Sequence, residues 1–282
     1  MKRILITGKN SYIGNSFEKW LAKDPQRYKV DKISVRDDSW KKINFSSYDT
    51  ILHVAGIAHL SERKVDKDLY YKVNRDLAIN IANKAKDEGV KQFIFTSSMS
   101  VYGKETGIID KDTPTMPKSN YGKSKLEAER LISELDEIDY KVSIIRPPMI
   151  YGRSCKGNYV KLSSLARRTP VFPNIKNQRS MIYIDNLNEY IKTLVNNPIS
   201  GLFFPQNKDY VCTSDMVKEI ASVYNKRVWM TKLFNPLLIN INIEMSKKIF
   251  GDLVYCKHMD ENYRYNNYNL VNFKESIRLT EE

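Results

Sequence analysis

Over the first 150 residues, short apolar runs alternate with segments whose apolar positions recur at helical spacing. The apolar runs are Arg3 to Thr7, Lys32 to Val35, Thr50 to Val54, Gln92 to Thr96 and Lys141 to Ile145. Several are apolar throughout, as a parallel strand buried on both faces must be. Helical patterns lie between them at Ile13 to Ala22, Leu69 to Glu88 and Tyr121 to Leu135. One more short strand is predicted near Ile43 to Phe45. Repeated strand–helix units with right-handed crossovers build a doubly wound parallel sheet, so the fold class is α/β.

The pattern changes after Arg146. Pro147, Pro148, Pro170 and Pro173 punctuate the chain. Helices are predicted at Tyr159 to Arg168, Ile184 to Asn196 and Ser214 to Tyr224, the last capped by Thr213 or Ser214. A domain of residues 1–150 is expected, to which later segments return. Residues 151–282 form mainly a smaller mixed α/β lobe. Glu261 to Asn269, rich in Asn and Tyr, reads as an ordered loop.

Composition narrows the class. The 282 residues are 41% hydrophobic and 28% charged, which suits a globular protein with a large core. The best apolar stretch, Leu233 to Ile243, is interrupted by Asn and Pro and is too short to span a bilayer, so no membrane insertion is expected. The first strand lacks the longer apolar core and small-residue cleavage site of a signal peptide, and the cytoplasm is the expected compartment. Cys155, Cys212 and Cys256 have neither disulfide nor metal-ligand spacing. His53, His59 and His258 do not cluster, and no metal is expected. The net charge of +13 attracts polyanions. Nucleic acid, a diphosphate or dinucleotide ligand, and mere solubility are all compatible with it. The basic residues are scattered, and the densest run, Arg63 to Lys67, contains an Asp.

Three motifs carry chemistry. The segment ITGKNSYIGN follows the first strand and opens a helix, with small residues at Gly8, Ser11 and Gly14. That spacing suits a dinucleotide turn, which needs a tight bend, a backbone approach to pyrophosphate and close helix–strand packing. Ser11 stands at the middle glycine position and can donate its hydroxyl to a phosphate. In ISVRDD, Arg36 favours the 2′-phosphate of NADP if the strand ends at Val35. In a shifted register Asp37 would serve NAD. The segment YGKSK puts Tyr121 and Lys125 on one helical face, where a cationic Lys would lower the phenol's pKa. Ser97, Ser98 and Ser100 follow the strand Gln92 to Thr96 and can supply a hydroxyl to the same reacting oxygen.

Together these segments resemble the extended short-chain dehydrogenase/reductases, the nucleotide-sugar epimerase and dehydratase family, over nearly the whole chain. The resemblance implies a Rossmann-type domain over 1–150 and a substrate lobe over 151–282. TGKNSYIG resembles the cofactor turn and implies contacts from Gly8, Ser11, Tyr12, Ile13 and Gly14. HVAGIAH resembles the segment beside the nicotinamide ribose and points to Ala55 and Gly56. VNRDLA places Asn74 at the family's asparagine position. SSMSVYG and YGKSK imply a catalytic set of Ser98, Tyr121 and Lys125, with Tyr121 and Lys125 also holding cofactor. RPPMIYG resembles the strand end that meets the nicotinamide and points to Pro148. KGNY and QRSMIYIDNL resemble diphosphate-holding segments and point to Asn158 and Arg179. Met99 and Ser100 join Ser98 along the substrate, where the family's 4,6-dehydratases carry Asp and Glu. A methionine offers neither acid nor base, so dehydration is not expected.

The resemblance thus implies an NADP- or NAD-dependent oxidoreductase acting at C4 of a UDP-sugar, with NADP the preferred cofactor. Reduction of a UDP-4-keto-6-deoxy-N-acetylhexosamine for capsule or O-antigen polysaccharide is the leading expectation. A UDP-hexose 4-epimerase with retained NAD is the nearest alternative. A non-catalytic nucleotide- or RNA-binding member of the fold is the third, though no nucleic acid partner is expected. A homodimer stays open as an assembly.

Overall fold

The computed structural model describes residues 1–58, 66–233, 235, 249–259 and 266–282. The chain opens with β1 (Lys2–Thr7), α1 (Tyr12–Leu21), β2 (Tyr28–Ile33) and β3 (Thr50–His53). α2 (Lys67–Tyr71) passes through a π-helical turn, Lys72–Asp76, into α3 (Leu77–Asp87). β4 (Gln92–Thr96), β5 (Gly107–Ile109), α4 (Asn120–Ser133) and β6 (Lys141–Ile145) follow. Next come β7 (Met149–Tyr151), α5 (Asn158–Arg168), β8 (Val171–Pro173), β9 (Met181–Tyr183) and α6 (Ile184–Asn196). The described elements end with β10 (Gly201–Phe203), α7 (Thr213–Val223), β11 (Trp229–Thr231), β12 (Leu253–Tyr255) and a C-terminal helix, Phe273–Glu281.

The chain divides into two units. The first comprises Met1–Gly103, Thr115–Pro147 and Leu187–Pro205. It holds a six-stranded parallel sheet in the order β10-β6-β4-β3-β1-β2. β3 and β4 lie inside the sheet and are buried at every position, as their apolar sequences require. α3 presents Ala78, Ile81, Ala82 and Ala85 to Leu5, Ile51, Phe93 and Phe95 in one core. Three small alanines on that stripe let the helix lie close to the sheet. β2 lies on one side of β1 and β3 on the other, so strand order reverses at β1. In doubly wound sheets, ligands bind at the carboxyl ends of the strands beside such a reversal.

The second unit comprises Lys104–Pro114, Pro148–Asn186 and Gln206–Glu282. It carries three parallel strand pairs, β5–β12, β7–β9 and β8–β11. Glu281 of the C-terminal helix accepts hydrogen bonds from Tyr159 Oη at 2.7 Å and Ser163 Oγ at 2.8 Å on α5, and from Tyr224 Oη at 2.9 Å.

Several boundaries differ from those predicted. β2 runs from Tyr28 to Ile33, not from Lys32 to Val35. It is an edge strand with one neighbour, so it tolerates Lys29, Asp31 and Lys32 and shows no apolar run. Ile43 to Phe45 is not a strand. Ile43 closes a 3₁₀ turn, Asp38–Lys42, and the Phe45 N–H is bonded by the Glu88 carboxylate. The residue capping α7 is Cys212, without a side-chain bond. Thr213 Oγ1 donates instead to the Ile249 carbonyl at 2.8 Å, and Ser214 Oγ to Pro173 O at 2.9 Å. In the loop predicted from Glu261 to Asn269, Asn266–Tyr268 form a 3₁₀ turn followed by Asn269, while residues 261–265 lie outside the described residues. His59, most of the basic run from Arg63 and most of the apolar stretch after Leu233 lie outside them too. No described helix is long and apolar enough to cross a membrane. Among the described residues no group of three or more His, Cys, Asp or Glu could hold a metal.

Candidate active site

The first unit gathers the sequence-predicted catalytic set at the carboxyl ends of its strands. After β1 the chain turns at Gly8, whose φ of 113° favours glycine. A Cβ there would stand 3.0 Å from the Ala55 backbone N, so the two loops touch through backbone. Ile33 O, at the end of β2, accepts the N–H groups of Gly8 and Lys9, both at 3.0 Å. Ser11 caps α1, and its Oγ accepts from Gly14 N at 3.0 Å. That bond occupies the oxygen and leaves the hydroxyl proton to donate. Gly14 is packed against β1: a Cβ would meet Ile6 Cγ2 at 2.9 Å. Tyr12 and Ile13 open the helix, where backbone N–H groups and the helix dipole favour an anion. The glycine cradle and helix start fit a dinucleotide diphosphate.

Arg36 does not stand where the sequence placed it. β2 ends two residues before Val35, and Arg36 lies exposed three residues beyond the strand, its N–H 3.4 Å from Ser34 Oγ. Asp37 caps the next turn by accepting from Ser39 N at 3.0 Å.

The loop after β3 is braced by Asn74, which is fully buried in the π-helical turn. Asn74 Oδ1 accepts from Ile57 N at 2.9 Å, and its amide donates to Ile57 O and Ser124 Oγ, each at 3.1 Å. Its amide therefore ties this loop to α4. At Gly56 a Cβ would lie 2.9 Å from Asn74 Oδ1 and 3.4 Å from Lys125 Nζ, so only a bare backbone leaves that space open.

Ser98 follows β4 and caps a 3₁₀ turn, Met99–Tyr102. Its Oγ accepts from Ser100 N and donates to Ser100 Oγ, both at 3.1 Å. Met99 is anchored through its N–H to Pro147 O at 3.0 Å. Two glycines bring this turn against α4 and the segment that leads into it. A Cβ on Gly122 would meet Ser100 O at 2.8 Å, and one on Gly103 would meet Met116 O at 1.9 Å. Tyr121 stands near the start of α4, close enough to Ser98 for that hydroxyl to act on its phenol. Burial raises the Tyr121 phenol pKa, and the Ser98 hydroxyl opposes that. Lys125 does not contribute the lowering expected of it.

Lys125 is 4% exposed, with Nζ donating to Thr96 O at 2.8 Å and lying 4.5 Å from the Phe95 ring centre. Burial brings its pKa down to about 8, against the opposing charge of Glu129. Glu129, one helical turn on, forms a buried ion pair with Arg146 at 2.5 Å. Arg146 Nη1 also donates to Tyr102 Oη at 2.8 Å. Tyr121, Lys125 and Glu129 recur every four residues, the sequence signal that identifies Glu129 as part of this face. His53, at the end of β3, bonds Thr7 Oγ1 through Nδ1 at 2.7 Å and stacks on Phe93 and Phe95. Burial, then the Lys125 charge, lowers its pKa to about 3, so it is neutral.

The other predicted contacts lie in the second unit. Pro148 is buried. Asn158 is exposed at the start of α5. Arg179 is partly buried, with its backbone bridging Val211 and Leu253 and Nη1 donating to Gly251 O at 2.9 Å. Burial lowers its pKa, with Asp252 opposing.

Residues 4–211 match the model of the NAD dependent epimerase/dehydratase family. The chain is 30% identical over 271 residues to a UDP-glucose 4-epimerase of Vibrio cholerae, covering 84% of this chain and 82% of that protein. It is also 30% identical over 210 residues to an N-acetyl-alpha-D-glucosaminyl-diphospho-ditrans,octacis-undecaprenol 4-epimerase of Escherichia coli O157:H7, covering 72% of this chain and 63% of that one. A crystal structure of UDP-glucuronic acid 4-epimerase from Bacillus cereus, in complex with NAD, superposes with a TM-score of 0.77 at 17% identity, covering 99% of this chain and 97% of that one. That likeness concerns the fold.

Proposed function

The chain belongs to the NAD dependent epimerase/dehydratase family, and from that premise we propose that it epimerises C4 of a diphosphate-linked hexose or hexosamine. The observation that carries this reading is the Ser98–Tyr121–Lys125 set assembled within one unit. The nicotinamide, when bound, supplies two-electron oxidation and reduction of carbon 4. Tyr121 takes the proton of the C4 hydroxyl as the ketone forms and returns it as the ketone is reduced. Ser98 hydrogen-bonds both Tyr121 and the sugar oxygen, keeping donor and acceptor in line. Lys125 holds the nicotinamide ribose, and its charge favours the phenolate once both groups face a ligand. Met99 and Ser100 offer no acid–base pair for eliminating water. The names of the relatives favour a UDP-hexose or an N-acetylglucosaminyl diphosphate as substrate.

Reduction of a 4-keto sugar with NADP uses the same residues and is the second reading. Its NADP preference draws on Arg36 at the end of β2, but β2 ends at Ile33, three residues before Arg36. The exposed guanidinium still supports it, because a 2′-phosphate is recognised by such a group.

The test is to supply a UDP-hexose or UDP-N-acetylhexosamine without added cofactor and follow the C4 epimer by proton NMR. Tyr121→Phe removes one hydroxyl and should cut turnover by about 10²–10⁴-fold while dinucleotide binding persists. Near-full activity in that variant would exclude Tyr121 as the proton carrier. Stoichiometric consumption of reduced cofactor by a 4-keto sugar, with no epimer formed, would establish the second reading.

A further inference from the structure

The outer face of the β8–β11 pair is apolar at its centre and basic around it. Val171 and Trp229 are paired in register, so both side chains stand on the same face. Trp229 is 77% exposed, and Leu233, two residues past the strand, is 79% exposed. Phe172, on the opposite face, is buried. Arg167 and Arg168 close α5 just before β8, and Lys226 and Arg227 precede β11. The Lys226 ammonium donates to Arg167 O at 2.6 Å, joining the two basic clusters. Arg167 lies over the Tyr224 ring at 5.4 Å. Lys232 completes the set. No Asp or Glu occurs in residues 161–184 or 220–233. Glu281, nearby at the base of α5 and α7, is held by Tyr159, Ser163 and Tyr224.

We propose that this face docks the protein on an anionic phospholipid bilayer, with Trp229 among the headgroups and the Arg/Lys rim on the lipid phosphates. An aromatic ring with an apolar body and a polar N–H is suited to the membrane interface. Basic residues beside it gain from the surface potential of anionic lipid. The aliphatic Val171 and Leu233 favour lipid over RNA, whose single-stranded bases are held by aromatic stacking. A second copy of the chain is disfavoured, because a twofold contact would set one basic rim against the other. The attachment is peripheral and independent of the C4 chemistry.

The test is co-sedimentation of the full chain with vesicles of phosphatidylcholine alone or with phosphatidylglycerol. Binding is expected only to the anionic vesicles. Trp229→Ser keeps the charge and should weaken it by on the order of tenfold or more. Arg167→Gln with Arg168→Gln should weaken it by roughly 20-fold. Lys41→Gln with Lys42→Gln, an equal charge change in the other unit, should leave it unchanged. Leu233→Ser provides a second apolar variant, and circular dichroism checks that each folds. Unchanged binding by the folded Trp229 and Leu233 variants, or equal loss in the Lys41/Lys42 pair, would reduce the effect to net-charge adsorption and overturn the proposal. Binding to both vesicle types alike would overturn it too. So would a Trp229-dependent dimer in sedimentation, or Trp229-dependent capture of an RNA oligonucleotide in place of lipid.

Discussion

Lys125 and Glu129 act as a linked pair through the helix face they share. Lys125 carries a charge in a buried place, and the Glu129 carboxylate is what opposes its loss. With a pKa of about 8, Lys125 loses this charge as pH rises through about 8. Glu129→Gln should lower that pKa further and move the alkaline fall in dinucleotide affinity to lower pH, read by fluorescence titration. The same change leaves Arg146 buried without its ion partner and should cost about 3–5 kcal/mol of stability. A purely structural Glu129 would lower Tm and leave the pH midpoint where it was. His53 gives a second pH dependence. Its folded pKa of about 3 lies below the ordinary value of 6.5. Above 6.5 both states are neutral and the full stability is present. As pH falls from 6.5 towards 3, the unfolded chain takes a proton that the folded chain refuses, so stability is lost across that window. The loss is on the order of 4 kcal/mol by its lower end. His53→Gln should flatten the corresponding part of a Tm-against-pH curve; an unchanged acid slope would assign it to other groups.

At the scale of elements, the serine turn and α4 are registered by close backbone approach. Gly122 lets Ser100 O approach α4, so a side chain there pushes directly on the turn that Ser98 caps. Gly122→Ala should cost about 1–3 kcal/mol through overpacking. Its effect on kcat should be larger than its effect on Tm suggests, because Ser98 is displaced from Tyr121. Full kcat with a lowered Tm would show that the turn relaxes without moving Ser98. The sequence displays this glycine inside YGKSK but cannot display its partner, which lies over twenty residues upstream. The same distinction runs through the fold. β4, β6 and α6 were legible to the residue because burial imposes unbroken apolar runs or a clear helical stripe. β2 was misplaced because a sheet edge imposes no such run. The π-helical turn was hidden because its residues fit an α-helical pattern equally well, yet it holds Asn74 between α4 and the loop after β3. The buried Glu129–Arg146 pair was half-legible: the spacing from Lys125 marks Glu129, but only tertiary structure supplies Arg146.

At the scale of the whole molecule, the reaction decides how the protein should treat its cofactor. An epimerase returns to the sugar the electrons it removed, so one dinucleotide serves every turnover, and release between cycles only interrupts the reaction. A reductase must discharge oxidised cofactor and take up reduced cofactor each time. In the proposed cycle the backbone turn at Gly8 and the N-terminus of α1 would grip the diphosphate shared by NAD and NADP. Discrimination between the two would then fall to the far end of the adenosine, beyond β2, where Arg36 is exposed and Asp37 is committed to a turn. The proposed epimerase should therefore purify with dinucleotide bound, and denaturation should release it as NAD in near-equal amount to the chain. Arg36→Ala should leave that content and the epimerisation rate unchanged within about twofold, as expected for an exposed side chain making no contact needed by NAD. Both cofactors carry the diphosphate, so loss of bound NAD in Gly8→Ala would test the grip separately from the selectivity. A protein that purifies empty, binds NADPH more tightly than NADH, and loses that preference in Arg36→Ala would contradict the retained-cofactor cycle. It would return the chain to reduction of a 4-keto sugar, with Arg36 reaching the 2′-phosphate from outside the strand.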